Sequence, residues 1–223
     1  MRPSALALCA ALALGLAAAA HTGAAPVPIS PPAPVAAKPN PYPAIAGWMA
    51  TRDGVVIGLL FSLVKQYNRS LGHEEVLTIV DAVLGAHFKH DLDPLLVASV
   101  IAAESSFNPR ARSHCGAEGL MQLTRGLQPW VGVRNPFDIR QNVAGGCRYL
   151  HAMKRRFGRL DLALAAYNAG PTRVARLGRV PQIAETIRYL HRIEGLHARL
   201  AAEAQRLAAV QTGPVMPLPF SPA

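Results

Sequence analysis

Glu104 is the residue best placed to do chemistry, because it closes an apolar run, Leu95 to Ala103, at a point where an ordinary helix has little use for a carboxylate. Asp93 and Pro94 open that run as an N-cap and a first helical position, and Asn108-Pro109 stops it. A negative charge in the last turn lies at the unfavourable end of the helix dipole. At helical spacing Glu104 follows Leu96 and Val100 on one stripe, so its carboxyl is expected to project along the face that meets the core. Desolvation there disfavours the ionised form, as a general acid working near neutral pH requires. The same residue could instead be an exposed end-of-helix carboxylate or the partner of an arginine, and the helix alone does not separate these.

Three clusters downstream each combine small residues with one amide side chain: Gly116 to Leu123 with Gln122, Asn142 to Gly146 with Asn142, and Ala165 to Pro171 with Asn168. Small residues let a ligand approach the backbone, and an amide both donates and accepts hydrogen bonds. Gln122 and Asn168 match the acetamido and hydroxyl groups of an N-acetylated polysaccharide. Each cluster also has a structural use, Asn168-Ala169-Gly170-Pro171 as a helix end and turn, and Asn142 as an N-cap.

The elements that must position these groups are helices. Apolar residues recur at helical spacing in Val55 to Tyr67, Glu74 to Phe88, Pro94 to Phe107, Val143 to Phe157, Leu160 to Tyr167 and Ile183 to Ala209, while strand-like alternation is nowhere sustained. The expected fold class is all-α. Before them, Met1-Arg2, the Ala- and Leu-rich run from Ala5 to Ala20 and the small residues up to Ala25 read as a signal peptide over 1–25. A proline-rich linker over 26–46 follows, then an accessory N-terminal helix in 47–72, the main domain over 73–212 and a flexible tail over 213–223.

The net charge of +10 favours anionic partners, and export together with an aromatic content of 6% argues against nucleic acid. An anionic cell wall or membrane surface is the expected partner by charge, and the expected location is periplasmic or secreted. Two cysteines remain after signal removal, Cys115 and Cys147, and an even pair in an exported chain points to a disulfide, with two unpaired thiols as the alternative. His87 and His90 lack a carboxylate or cysteine to complete a ligand set, so no metal is expected, and no phosphate loop or nucleophile elbow calls for a cofactor.

Taken in order, Glu104-Ser105-Ser106-Phe107-Asn108-Pro109, Gly119-Leu120-Met121-Gln122, Asn142 with Ala144-Gly145 and Tyr149-Leu150, Ala165 to Pro171, and Glu185-Thr186 with Tyr189 resemble the catalytic domain of the soluble lytic transglycosylases. The resemblance spans about His73 to Ile193. It implies a lysozyme-like α fold, a peptidoglycan substrate, and cleavage of the β-1,4 bond between N-acetylmuramic acid and N-acetylglucosamine to leave a 1,6-anhydromuramoyl end. It also implies Glu104 as acid then base, Tyr189 as its hydrogen-bond support, and Ser105, Met121, Gln122, Tyr167 and Asn168 as walls of the sugar cleft. Glu185 is expected to be structural. Thr124-Arg125-Gly126 departs from the family's usual continuation with Met-Pro, at one edge of the cleft.

A single carboxyl suits that chemistry. Ordinary glycosidases set two carboxylates roughly 5–9.5 Å apart, whereas between Asp93 and Asp138 the only acidic residue besides Glu104 is Glu118. A substrate N-acetyl group and C6 hydroxyl can supply the rest. The rivals are a muramidase that admits water, and an inactive wall-binding factor of a secretion or conjugation apparatus.

Overall fold

The computed structural model describes residues 52–211; the signal peptide, linker and tail expected over 1–25, 26–46 and 213–223 lie outside the described residues. The described chain is mostly helical, with helices α1 (Arg52–Tyr67), α2 (His73–His90), α3 (Pro94–Ser105), α4 (Ile139–Phe157), α5 (Leu160–Ala169), α6 (Pro171–Leu177) and α7 (Ala184–Gln211). Between α3 and α4 lies one antiparallel pair of two-residue strands, β1 (Ala117–Glu118) and β2 (Leu123–Thr124), in the register Ala117 to Thr124 and Glu118 to Leu123.

Helix α3 is the centre of the fold. Every residue from Leu95 to Ala102 is buried, so the helix is apolar all round rather than along a single stripe, and α1, α2 and α7 pack against it. Helix α1 belongs to the same core: Ile57, Leu60, Leu63 and Val64 are buried in one cluster with Val76, Ile79, Val97 and Ile101. Helix α4 packs on α2 and α5, and α5 on α6 and α7. No described helix is long and apolar enough to cross a membrane.

Two contacts pin α3 antiparallel to α7. At its start Asp93 caps the helix by accepting from the Leu95 amide at 2.9 Å, and its other oxygen lies 2.6 Å from Nε2 of His197 on α7. At its end Glu104 meets Tyr189, one residue of the same α7. The helix stops at Ser105, two residues before the expected Phe107, because Ser106 and Phe107 both take left-handed backbone, at φ of 52° and 59°. Such conformations are costly for residues with a Cβ and persist only where surroundings hold them. Here the wholly buried Phe107 ring anchors the turn, and Asn68 Nδ2 donates to the Phe107 carbonyl at 3.0 Å.

Helix α4 starts four residues earlier than expected, capped by Asp138, whose carboxylate accepts from the Gln141 amide at 2.8 Å. Asn142 is therefore not an N-cap. It is buried in the second turn, where Oδ1 accepts from the Met121 amide at 2.8 Å and Nδ2 donates to the carbonyls of Glu118 and Pro136 at 3.0 and 2.8 Å. One side chain thus clamps the whole segment from β1 to Met121 onto α4.

The expected bridge between Cys115 and Cys147 is not formed. Cys115 is exposed in the turn before β1, whereas Cys147 is buried on α4 with its sulfur 3.9 Å from Met121 Sδ. Cys147 faces the core, so no thiol is presented toward the surface where Cys115 sits. The tie between these two segments is made by Asn142.

Candidate active site

Glu104 ends α3 against α7, and its two carboxyl oxygens differ. The Tyr189 hydroxyl donates to Oε1 at 2.8 Å, while Oε2 is buried and bonded by no described residue. Burial pushes the carboxyl up to about 8, against the opposing pull of the Tyr189 hydrogen bond and the positive charge of Arg192; Glu185 adds a smaller upward push. At neutral pH the group is a protonated acid with one oxygen oriented by the Tyr189 hydroxyl and the other without a hydrogen-bond partner among the described residues.

Tyr189 is fully buried, and its phenol is held well above its usual range by burial first and the Glu104 charge next. It is a fixed donor. Tyr167, on α5, is likewise shifted upward by burial and then by Glu104; its hydroxyl donates to the Met121 carbonyl at 2.9 Å and its ring lies 5.1 Å from that of Tyr149. Asn168, the next residue on α5, is half-buried, and its Oδ1 accepts from the buried Thr186 hydroxyl at 2.9 Å, which leaves the amide nitrogen as the outward donor. Ser105 is half-buried beside Glu104, with its hydroxyl donating back to the Ile101 carbonyl at 3.3 Å.

Gln122 and Met121 differ from expectation. Gln122 sits at φ 48° with its amide nitrogen donating to the Gly119 carbonyl at 2.9 Å, so half of its side chain is committed to holding its own loop. Met121 is wholly buried, packed on Gly146 and Cys147, and is core rather than a cleft wall. Its backbone does the positioning, held by Asn142 at the amide and Tyr167 at the carbonyl. Glu118, the other acid of this region, is buried with Oε1 3.6 Å from Arg112 and Oε2 accepting from Gln128 at 3.1 Å. It braces the hairpin, as buried carboxylates with partners do.

Residues 81–189 match the transglycosylase SLT domain. This segment of the chain belongs to the SLT family. Among curated relatives, the "Membrane-bound lytic murein transglycosylase F" of Desulfosudis oleivorans is 44% identical over 89 residues, covering 37% of this chain and 20% of that protein. The "Transglycosylase" of Enterobacteria phage PRD1 is 42% identical over 90 residues, covering 40% of this chain and 34% of that one. The chain therefore spans about a fifth to a third of the length of these relatives. Among solved structures, lytic transglycosylase Slt from Pseudomonas aeruginosa aligns with a TM-score of 0.49 at 25% identity, covering 57% of this chain and 24% of that chain.

The SLT segment runs from α2 to Tyr189 and contains Glu104, Ser105, Gln122, Tyr167 and Asn168. Sequence reasoning named Thr186 only as part of a motif, without its role in orienting Asn168, and missed Arg192, whose charge reaches Glu104 and Glu185. Helical spacing held the signal for Arg192, since Glu185, Tyr189 and Arg192 recur at i, i+4 and i+7 on α7. Because the Tyr189 hydroxyl favours the ionised carboxyl, Tyr189→Phe is expected to move the Glu104 midpoint further above about 8. The size should be on the order of one unit, the worth of one hydrogen bond. Arg192→Gln should move it in the same direction. Carboxyl 13C NMR titration checks both, and a midpoint that falls in either variant would contradict the assigned partners.

Proposed function

We propose that this chain is a peptidoglycan lytic transglycosylase that cleaves the β-1,4 bond between N-acetylmuramic acid and N-acetylglucosamine and leaves 1,6-anhydromuramoyl ends. The observation that carries this reading is the Glu104 carboxyl, protonated at neutral pH through burial, with Oε1 held by Tyr189 and Oε2 unbonded. The names of the relatives support the same reaction class.

In the first step the Glu104 proton passes to the glycosidic oxygen, the C1–O bond breaks, and the substrate's N-acetyl group stabilises the oxocarbenium-like centre. Glu104 is then an anion, steadied by the Tyr189 hydroxyl and the Arg192 charge. In the second step it takes the proton from the sugar's own C6 hydroxyl as that oxygen bonds to C1, and the acid is regenerated. Two proton transfers use one carboxyl, so no second carboxylate and no activated water are required. The half-buried Asn168 and Ser105, and the Oε1 of the largely buried Gln122, are the polar groups that this reading assigns to the sugars, with Tyr167 as an aromatic wall.

One feature favours hydrolysis as the second reading. Glu185 lies within charge reach of Glu104 and is itself raised by burial, so it could serve as a base for water. Mass spectrometry of digested cell-wall sacculi separates the two. Anhydromuramoyl products are expected, and reducing muramic ends without them would establish a muramidase. The proposed location is the periplasm or outside the cell, reached by the expected signal peptide, and the surplus of basic residues supports attraction to an anionic wall or membrane face. A role beside a secretion or conjugation apparatus is compatible with this activity.

A further inference from the structure

The segment after β2, from Arg125 to Val133, is folded into a tight series of turns. The Leu127 amide donates to the Thr124 carbonyl at 2.9 Å, Val131 to Leu127 at 3.1 Å and Val133 to Gln128 at 2.8 Å. Gln128 Nε2 reaches both Glu118 Oε2 and the Leu123 carbonyl, at 3.1 and 3.0 Å, and Arg148 on α4 donates to the Val131 carbonyl at 2.6 Å. Leu123, Val131 and Val133 form a small buried cluster of their own, with Leu127, Trp130 and Tyr149 packed on it.

Its one large ring is Trp130, which remains partly exposed. The indole meets Tyr149 edge to face, with centroids 6.0 Å apart at 84°, and Tyr149 lies 5.1 Å from Tyr167. Tyr167 in turn lies within the field of Glu104. Three rings are therefore joined by contact, from Tyr167 through Tyr149 to a half-exposed tryptophan. A pyranose presents an apolar C–H face bordered by hydroxyls, which fits a rigid aromatic surface that loses little conformational entropy on binding.

We propose that Trp130 is the stacking platform of a distal subsite, taking one N-acetylated hexose ring of a glycan strand that extends from Glu104 along Tyr167 and Tyr149. The subsite rests on the glycan substrate proposed above. It makes the chain a reader of strand length, with the specificity carried by the loop after β2.

The test uses the full chain carrying Glu104→Gln, titrated calorimetrically with N-acetylglucosamine oligomers from the dimer to the hexamer. Affinity should rise with length in that parent. Trp130→Leu keeps an apolar side chain for the loop cluster but removes the ring, and should weaken hexamer binding by about tenfold, the scale of one aromatic contact, while leaving the dimer unchanged. Trp130→Tyr should restore most of the loss. Equal hexamer affinity with and without the ring, or the same loss at every length, would overturn the subsite while leaving the reaction standing. Conversely, a wild-type digest lacking anhydro ends, alongside a length-dependent loss in Trp130→Leu, would remove the reaction and leave the subsite.

Discussion

Glu104→Gln is expected to abolish turnover and to raise thermal stability in the same protein. Gln keeps the shape and the Oε1 acceptor for Tyr189, so the hydrogen bond at 2.8 Å can persist. What disappears is the proton donated to the leaving oxygen and the base that later recovers one. General acid–base catalysis contributes about 10²–10⁴-fold. Since a single group serves both steps, the loss should lie toward the upper end of that range, measured as release of soluble muropeptides from sacculi. A Glu104→Gln protein that clears sacculi at the wild-type rate would remove the catalytic assignment.

The gain in stability follows from linkage. The carboxyl titrates at about 8 when folded, against 4.5 as its reference. A raised acid binds more protons folded than unfolded, so stability falls as pH climbs from the lower value through the higher, and is flat outside that window. At pH 7 the native acid therefore carries a penalty on the order of 3 kcal/mol that glutamine does not. The melting temperature of Glu104→Gln should exceed wild type at pH 7, and the two should converge below about pH 4.5, the unfolded reference. A misfolded variant would lose activity and stability together, so the opposite movement of the two readouts identifies a functional site held at the expense of stability.

Local signals carried most of the helical architecture. Asp93-Pro94 announced the start of α3, and Gly170-Pro171 the boundary after α5, because caps and proline act within one turn. Features set by distant contacts were not readable in this way. Helix α3 ends at Ser105 because Asn68 and the buried Phe107 ring hold two left-handed residues after it, and nothing in the local run encodes that. Helix α6 spans only Pro171–Leu177, too short to show a period. The even count of cysteines suggested a bridge, but counting cannot tell that Cys147 faces Met121. For Glu104 the residue and its burial were legible from the apolar run, whereas the groups that tune it, Tyr189, Arg192 and Glu185, come from α7 and were reached through the resemblance or not at all.

The remaining large effect is expected at Gly119, where the loop carrying Met121 and Gln122 crosses the start of α4. Its φ is +80°, and a Cβ there would collide with the Pro136 carbonyl and with the amide of Asn142. The Pro136 oxygen is backbone and cannot swing aside, and Asn142 cannot yield without releasing its bonds to Met121, Glu118 and Pro136. Gly116 supplies the control, because its φ is +75° with nothing within 4 Å of the same built atom. Gly116→Ala should therefore cost only the backbone strain, about 1–2 kcal/mol. Gly119→Ala adds a collision of roughly 1–3 kcal/mol, so its total should reach about 4 kcal/mol, read as a lowered urea midpoint at unchanged slope. Equal midpoints for the two alanines would mean that the loop moves freely off α4. The clamp formed by Asn142 would then not be what sets the position of Gln122 relative to Glu104.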